Sequence, residues 1–304
     1  MLFRSATITG VGFAPDLYAD SKRNTTTTNL FVDRLRGAGM YLASEATSAE
    51  SGPLGVTSLD QDGVTLSAAN GWNGATNTYI NWFFKRAPTF FDEVCYTGNG
   101  AGGITLNHNL TVVPQLIFVK SRNLIADWAV YSATLGASQY LKLNTTNGAL
   151  SGTTRFGTTP TSSVFYVGTD SSVNFDATTT YVAYLFATCT GVSKVGSYTG
   201  NATLTTINCG FTGGARFVLI KRTDYPSTGG WYVWDSARGI VSGNDPYLLM
   251  NSTAAEVTST DYIDPYSAGF EISSTAPAAI NRSEEHTSEL QSHHDLVCRL
   301  LLEK

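Results

Sequence analysis

The feature that most constrains this chain is a set of motifs that returns after about a hundred residues. The sequence Tyr-Thr-Gly-Asn-Gly at residues 96–100 returns as Tyr-Thr-Gly-Asn-Ala at residues 198–202. Two longer stretches recur in the same order, residues 114–120 as 215–221 and residues 140–146 as 247–253. Self-similarity at a fixed period indicates one folding unit repeated along the chain. We therefore predict three units, the first without its opening strand and the third without its closing strand, at residues 6–94, 95–195 and 196–281.

Composition and patterning predict that these units are all-β. Thr, Ser, Asn and Gly are abundant and charged residues make up only 14% of the chain, which is typical of exposed sheets with many turns. Residues 79–84 and 181–186 are apolar on both faces, as in central strands covered on both sides. Because no Pro-rich or Ser/Gly-rich linker separates the units, we expect them to abut as a stiff rod. Capping-box patterns at residues 47–50 and 253–256 predict one short helical turn per unit.

Both ends of the chain differ from the repeated part. Residues 282–304 resemble the conceptual translation of a common short-read sequencing adapter, and residues 1–5 resemble the end of the partner adapter. We therefore interpret both ends as artefacts and the segment 6–281 as natural. Three of the four His and one of the four Cys lie in the last segment, with a spacing that fits no compact zinc site. A truncated third unit should expose an aggregation-prone sheet edge.

Recurring polar residues are better explained by a structural role than by catalysis or metal binding. Asp33 and Arg36 match Asp235 and Arg238, and we interpret each pair as a clamp on a strand exit. His108 matches Cys209, which suits a packed position better than a general base. With one His in the natural segment, no Ser/His/Asp triad and no His-rich metal site is expected. The three Cys of this segment are predicted to be reduced and buried.

Two local patterns resemble ligand loops. Residues 98–103 fit G-x-G-x-x-G, but a strand rather than a helix follows, so we predict a hairpin turn. Residues 60–63 lack the remaining ligands of a calcium loop, so we predict a turn between strands. Trp128 and Trp231 could stack on sugars, but their recurrence favours core packing. No cofactor is expected.

Loop length separates the third unit from the second. Two third-unit loops, residues 225–229 and 240–246, are longer than their second-unit counterparts. A constant framework with variable loops is typical of binding folds that change partner. The candidate ligand-binding residues are Tyr225, Ser227, Asn244 and Asp245.

The repeated motifs resemble a tandem domain of unknown function that is common in virion structural and tail-fibre-like proteins of tailed phages. The motifs include Trp-Tyr-Val-Trp-Asp-Ser-Ala-Arg-Gly at residues 231–239 and Tyr-Val-Ala-Tyr-Leu-Phe-Ala at residues 181–187. The resemblance implies tandem antiparallel β-sandwiches of jelly-roll or concanavalin-like, lectin-like form in a virion appendage assembled in the host cytoplasm. It implies other virion proteins and a host cell-surface glycan as partners. It supplies no functional residues.

The expected function is therefore a non-enzymatic virion structural protein or host-surface adhesin. One alternative is a cell-encoded secreted carbohydrate-binding or adhesion module, and a less favoured one is a glycan depolymerase, for which Glu50 and Glu256 are the recurring carboxylates. The net charge of -5 is mild, so no nucleic-acid partner is expected, and no apolar run is long enough for membrane insertion. Homo-oligomerisation stays open.

Overall fold

The computed structural model describes residues 5–53, 55–67, 72–224 and 229–282, and the backbone of a strand at His294–Cys298. The described residues form strands, turns and loops without a helix, and the strands pair antiparallel, which confirms the all-β prediction. No described segment is a helix that could cross a membrane. The predicted helical turns at residues 47–50 and 253–256 are wrong, because both segments are irregular.

The first unit contains seven strands in two sheets. They are β1 (Ala6–Ile8), β2 (Leu17–Lys22), β3 (Leu30–Asp33), β4 (Leu42–Ala43), β5 (Val56–Asp60), β6 (Gly63–Leu66) and β7 (Tyr79–Phe84). The larger sheet has the order β4-β3-β2-β7 and the smaller one β1-β6-β5. The turn predicted at residues 60–63 is confirmed, since it joins β5 to β6.

The second unit contains eight strands, again in two sheets. They are β8 (Phe91–Thr97), β9 (Ile104–Asn107), β10 (Leu116–Ser121), β11 (Ala129–Ser132), β12 (Gln139–Lys142), β13 (Leu150–Ser151), β14 (Val164–Val167) and β15 (Thr180–Phe186). The larger sheet has the order β13-β12-β11-β10-β15-β8 and the smaller one β14-β9. Strand β15 is central, as predicted, whereas its counterpart β7 ends its sheet. Strand β8 spans both sides of the expected boundary at residues 94 and 95.

The third unit repeats this plan. Its strands are β16 (Lys194–Tyr198), β17 (Thr205–Asn208), β18 (Phe217–Arg222), β19 (Trp231–Asp235), β20 (Leu248–Leu249), β21 (Ile263–Tyr266), β22 (Gly269–Ile272) and β23 (His294–Cys298). The larger sheet has the order β16-β23-β18-β19-β20 and the smaller one β17-β22-β21. Strand β23 pairs with β16 and β18, as β15 pairs with β8 and β10. The open edge expected after residue 281 is thus occupied by a strand from the adapter-like segment.

Each larger sheet is buried on both faces. One face packs on the smaller sheet of its own unit, as shown by Ile117 and Val119 of β10. The other face packs into an apolar core that all three units share, as shown by Phe84, Phe118 and Leu219. The expectation of a stiff rod is therefore wrong, because a sheet that is apolar on both faces needs a second cover and the three sheets cover one another.

Matching hydrogen bonds join the three units in a closed ring. Trp128 Nε1 of the second unit donates to the Ala43 carbonyl of the first, at 2.8 Å. Trp231 Nε1 of the third donates to the Lys142 carbonyl of the second, at 2.9 Å. In the first unit Asn29 occupies the matching position, and its Nδ2 donates to the Leu249 carbonyl of the third, at 3.1 Å. The core role predicted for both tryptophans is confirmed, since neither is more than 1% exposed.

The glycine-rich segment at residues 98–103 is not a hairpin turn. It leaves β8 in the larger sheet and enters β9 in the smaller one, and these strands do not pair with each other. Asn174 holds the segment, since its Nδ2 donates to Asn99 Oδ1 and to the Gly102 carbonyl, each at 3.0 Å. Asn281 bonds the matching third-unit segment through the amide nitrogen of Asn201 and the carbonyl of Thr203. These glycines therefore lie where the chain crosses from the larger sheet to the smaller one.

Candidate ligand-binding surface of the third unit

The recurring Asp/Arg pairs lie at the seams between units rather than on a free surface. Asp33 and Arg36 form a fully buried ion pair, and Arg36 also binds Glu50 at 2.9 Å. Arg122 of the second unit binds the same Glu50 carboxylate at 2.9 Å. Tyr184 of the second unit donates its hydroxyl to Asp33 at 2.6 Å. These polar groups satisfy one another across the seam between the first two units.

The seam between the third and first units has the same arrangement. Asp235 binds Arg238 at 2.7 Å, and Arg238 binds Glu256 at 3.2 Å. Arg23 of the first unit reaches Glu256 at 2.9 Å, and Trp82 Nε1 donates to Asp235 at 3.2 Å. The predicted clamp is confirmed, and each clamp extends across a seam.

The remaining candidate groups lie in packed or partly packed positions. His108 is buried, its Nδ1 accepts the Leu110 N–H and its Nε2 lies 3.1 Å from the Thr161 carbonyl. Of the three cysteines, Cys209 is buried as predicted and Cys189 is half-buried, whereas Cys95 is exposed because it lies on the edge strand β8. Among the described residues, no three His, Cys, Asp or Glu are grouped so that they could hold a metal ion.

The loop candidates differ in their surroundings. Tyr225 and Ser227 lie outside the described residues. Asn244 is exposed, and its Oδ1 accepts the Ser259 N–H at 3.0 Å. Asp245 is fully buried, and its carboxylate accepts the N–H groups of Tyr262 at 2.9 Å and Ile263 at 3.1 Å. Burial outweighs these donors and raises the pKa of Asp245 to about 7. Asp245 therefore anchors its loop to the segment that carries Tyr262.

Three tyrosines meet beside this loop, and we call Tyr232, Tyr247 and Tyr262 the tyrosine cluster. The ring centroids of Tyr232 and Tyr247 are 5.0 Å apart, and those of Tyr247 and Tyr262 are 5.7 Å apart. Trp234 stacks on Tyr232, with their ring centroids 5.7 Å apart. The three rings are half-buried. Tyr232 lies on β19, next to the edge strand β20, and Tyr247 directly precedes β20.

The hydroxyls of the tyrosine cluster are available. Within the described part of the chain, none of the three phenol oxygens has a hydrogen-bond partner. Burial, with the nearby hydroxyls of Tyr247 and Tyr262, raises the pKa of Tyr232 to about 12, so the phenol stays protonated. One carboxylate oxygen of Asp261 and one of Asp264 are buried without a partner. The cluster thus combines aromatic rings with phenol hydroxyls that have no partner among the described residues.

In the other two units a different side chain packs on the matching tyrosine, which is half-buried in all three units. In the first unit Trp72 packs edge-on against Tyr41, with ring centroids 5.2 Å apart. In the second unit the Arg155 guanidinium lies over the Tyr140 ring, 4.0 Å from its centroid. Leu30 and Ala129 stand where the third unit has Tyr232. The motif match identified Tyr247, but the approach of Tyr262 depends on tertiary packing that no local pattern indicates.

Comparison with known proteins assigns a family. Residues 4–286 match the family described as Domain of unknown function (DUF7483), so the chain belongs to that family. The match spans all three units and ends before β23. No curated protein and no solved structure matches the chain.

Proposed function

We propose that the protein is a non-enzymatic structural component of a phage virion, in a tail fibre or a host-surface adhesin, with other virion proteins and a host-surface glycan as partners. One observation carries this proposal: three sandwiches share a single apolar core and are joined by hydrogen bonds at every seam. Such a ring holds its outer loops on a rigid support, which suits display to a partner.

The recurring carboxylates favour a structural role over catalysis. Glu50 and Glu256 each bind two arginines, one in the same unit and one across a seam, with oxygen to nitrogen distances between 2.9 and 3.2 Å. A glycosidase needs two carboxyl groups that flank a bond in an accessible cleft. Turnover of a bacterial polysaccharide by the purified protein would contradict this part of the proposal.

The second candidate is a cell-encoded secreted module that binds carbohydrate or mediates adhesion. The tyrosine cluster is compatible with both candidates. The genes that flank the coding sequence distinguish them: tail, baseplate or capsid genes support the virion protein, whereas secretion or hydrolase genes support the secreted module.

A loop exchange tests the adhesion role. We replace residues 225–229 and 240–246 with the shorter second-unit loops and measure binding of labelled protein to a panel of bacterial cells. Loss of cell binding is expected, together with a lower midpoint of thermal unfolding because the exchange also removes the buried Asp245. Retained binding in a folded variant would reject these loops as the contact site.

A further inference from the structure

The tyrosine cluster has the two kinds of group that a sugar ring requires. A pyranose presents apolar C–H faces, which pack on aromatic rings, and a rim of hydroxyls that both donate and accept hydrogen bonds. Tyr232, Tyr247 and Tyr262 supply half-buried rings whose hydroxyls make no hydrogen bond within the described residues.

The charge beside the cluster limits the class of ligand. The half-buried charged side chains that adjoin Tyr262 along the chain are the carboxylates Asp261 and Asp264. A sulfated or uronic-acid saccharide would meet like charge there, whereas an uncharged one would not.

The position of the cluster links it to the loops that vary between units. Residues 240–246 lead directly into Tyr247, and within that loop Asp245 bonds the backbone of Tyr262. Residues 225–229 end shortly before Tyr232. The apolar side chains of Val241 and Val257 are 48% and 39% exposed, and an isolated bridge pairs Val257 with Tyr247. The third unit therefore groups three tyrosines at the position where the other units place a tryptophan or an arginine against the matching tyrosine.

We propose that the tyrosine cluster binds an uncharged pyranose ring of a cell-surface polysaccharide, an inference that rests on the adhesion role proposed above. The rings contact the C–H face of the sugar. The phenol hydroxyls bond its hydroxyls. Asp245 is a positioning residue that fixes Tyr262.

The test uses the full chain and defined probes. Labelled protein is applied to an array of glucose, galactose, mannose and N-acetylglucosamine oligomers, with uronic-acid oligomers alongside. The best neutral oligomer is then titrated calorimetrically into the wild type, the double variant Tyr232→Phe/Tyr262→Phe and the control Tyr140→Phe. The control removes a hydroxyl at the matching second-unit position. Thermal unfolding of each variant verifies that it is folded.

We expect a neutral oligomer to bind, the double variant to weaken binding by about tenfold through two lost hydrogen bonds, and the control to stay within about twofold. Equal binding by the folded double variant would overturn this site and leave the adhesion role intact. Preference for the uronic-acid oligomers, or binding of cells without binding of any neutral oligomer, would overturn the ligand class. Failure of the adhesion role itself has a different signature, namely no binding of the full chain to any cells of the panel.

Discussion

Glu93 is a buried carboxyl group near the seam between the first two units. It lies on β8, is 3% exposed, and neither of its carboxylate oxygens has a hydrogen-bond partner. Burial, together with the carboxylates of Asp33 and Asp16, raises its pKa well above 4.5, and Arg86 and Arg36 offset this only partly. In the third unit the matching residue is Val195, which packs in the shared core. Protonated Glu93 is therefore the form compatible with this position.

Glu93→Gln should stabilise the protein in a pH-dependent manner. Because the pKa is raised in the folded state, the favourable contribution of the protonated carboxyl is complete below pH 4.5 and is lost as the pH rises. At pH 4 the variant and the wild type should have similar free energies of unfolding. At pH 7 the variant should be more stable by about 1 to 3 kcal/mol, which urea titrations at the two pH values will measure.

The half-buried residue Glu271 provides the control for this experiment. Its carboxylate accepts a hydrogen bond from Thr206 at the surface, so Glu271→Gln should change stability little at either pH. A gain for Glu93→Gln that is equal at pH 4 and pH 7 would contradict the assignment of a raised pKa.

At the scale of elements, the three seams share one backbone arrangement but use different side chains. The seam between the first two units uses Arg36, Glu50 and Arg122. At the seam between the second and third units the matching residues are Leu135, Ala149 and Thr223. The backbone bond is kept, since Glu50 N donates to Arg122 O and Ala149 N donates to Thr223 O. The strands therefore fix the seam geometry, and the side chains within it are exchangeable as a set.

Glu256→Ala should be strongly destabilising. It leaves the buried Arg238 with Asp235 alone and the partly buried Arg23 without its carboxylate, which costs about 3 to 5 kcal/mol. The quadruple variant Arg23→Thr/Asp235→Ser/Arg238→Leu/Glu256→Ala transfers the residues of the uncharged seam, where Ser132 matches Asp235, and should recover most of this loss. Urea unfolding measures both variants, and a quadruple variant less stable than the single one would contradict the exchangeability of the seams.

Alternation and repeated motifs predicted the strands and the matched positions, because both are local properties of the chain. Alternation could not show that Glu50 binds Arg122, 72 positions away, or that Glu256 binds Arg23, 233 positions away. The capping-box pattern was misleading for the same reason: the amide of Glu50 bonds Arg122 of the next unit instead of closing a helical turn. The sequence indicated two parts of the candidate site, the variable loops and Tyr247. Tyr262 comes next to Tyr247 only in the folded unit.

At the scale of the whole molecule, the shared core contains an unfilled volume. A cavity of about 50 Å³ lies among apolar side chains from all three units, including Phe84, Phe186 and Phe217. Ala19 lines it, and the matching residues of the other units are Phe118 and Leu219. Ala19 is small where the other two units have large side chains, and this difference accounts for the unfilled volume.

Ala19→Val should therefore raise the free energy of unfolding by about 1 kcal/mol, because two methyl groups enter an existing apolar cavity. Ala129→Val is the matched control: Ala129 is fully buried in the core of the second sandwich, so added volume there should destabilise by about 1 to 3 kcal/mol. Thermal and urea unfolding compare the two. Destabilisation by Ala19→Val of the same size as the control would show that the cavity does not accept a side chain.

The central claim is that the first and third units meet, so that three sandwiches enclose one core. The closing contacts are the bond from Thr27 N to Thr253 O at 2.8 Å and the ion pair of Arg23 with Glu256. Small-angle X-ray scattering of the monomeric protein tests this claim most directly. A compact chain of this length should have a radius of gyration of about 19 Å, whereas three units stacked end to end would give about 28 Å. The closed ring predicts the smaller value, and the larger one would contradict it.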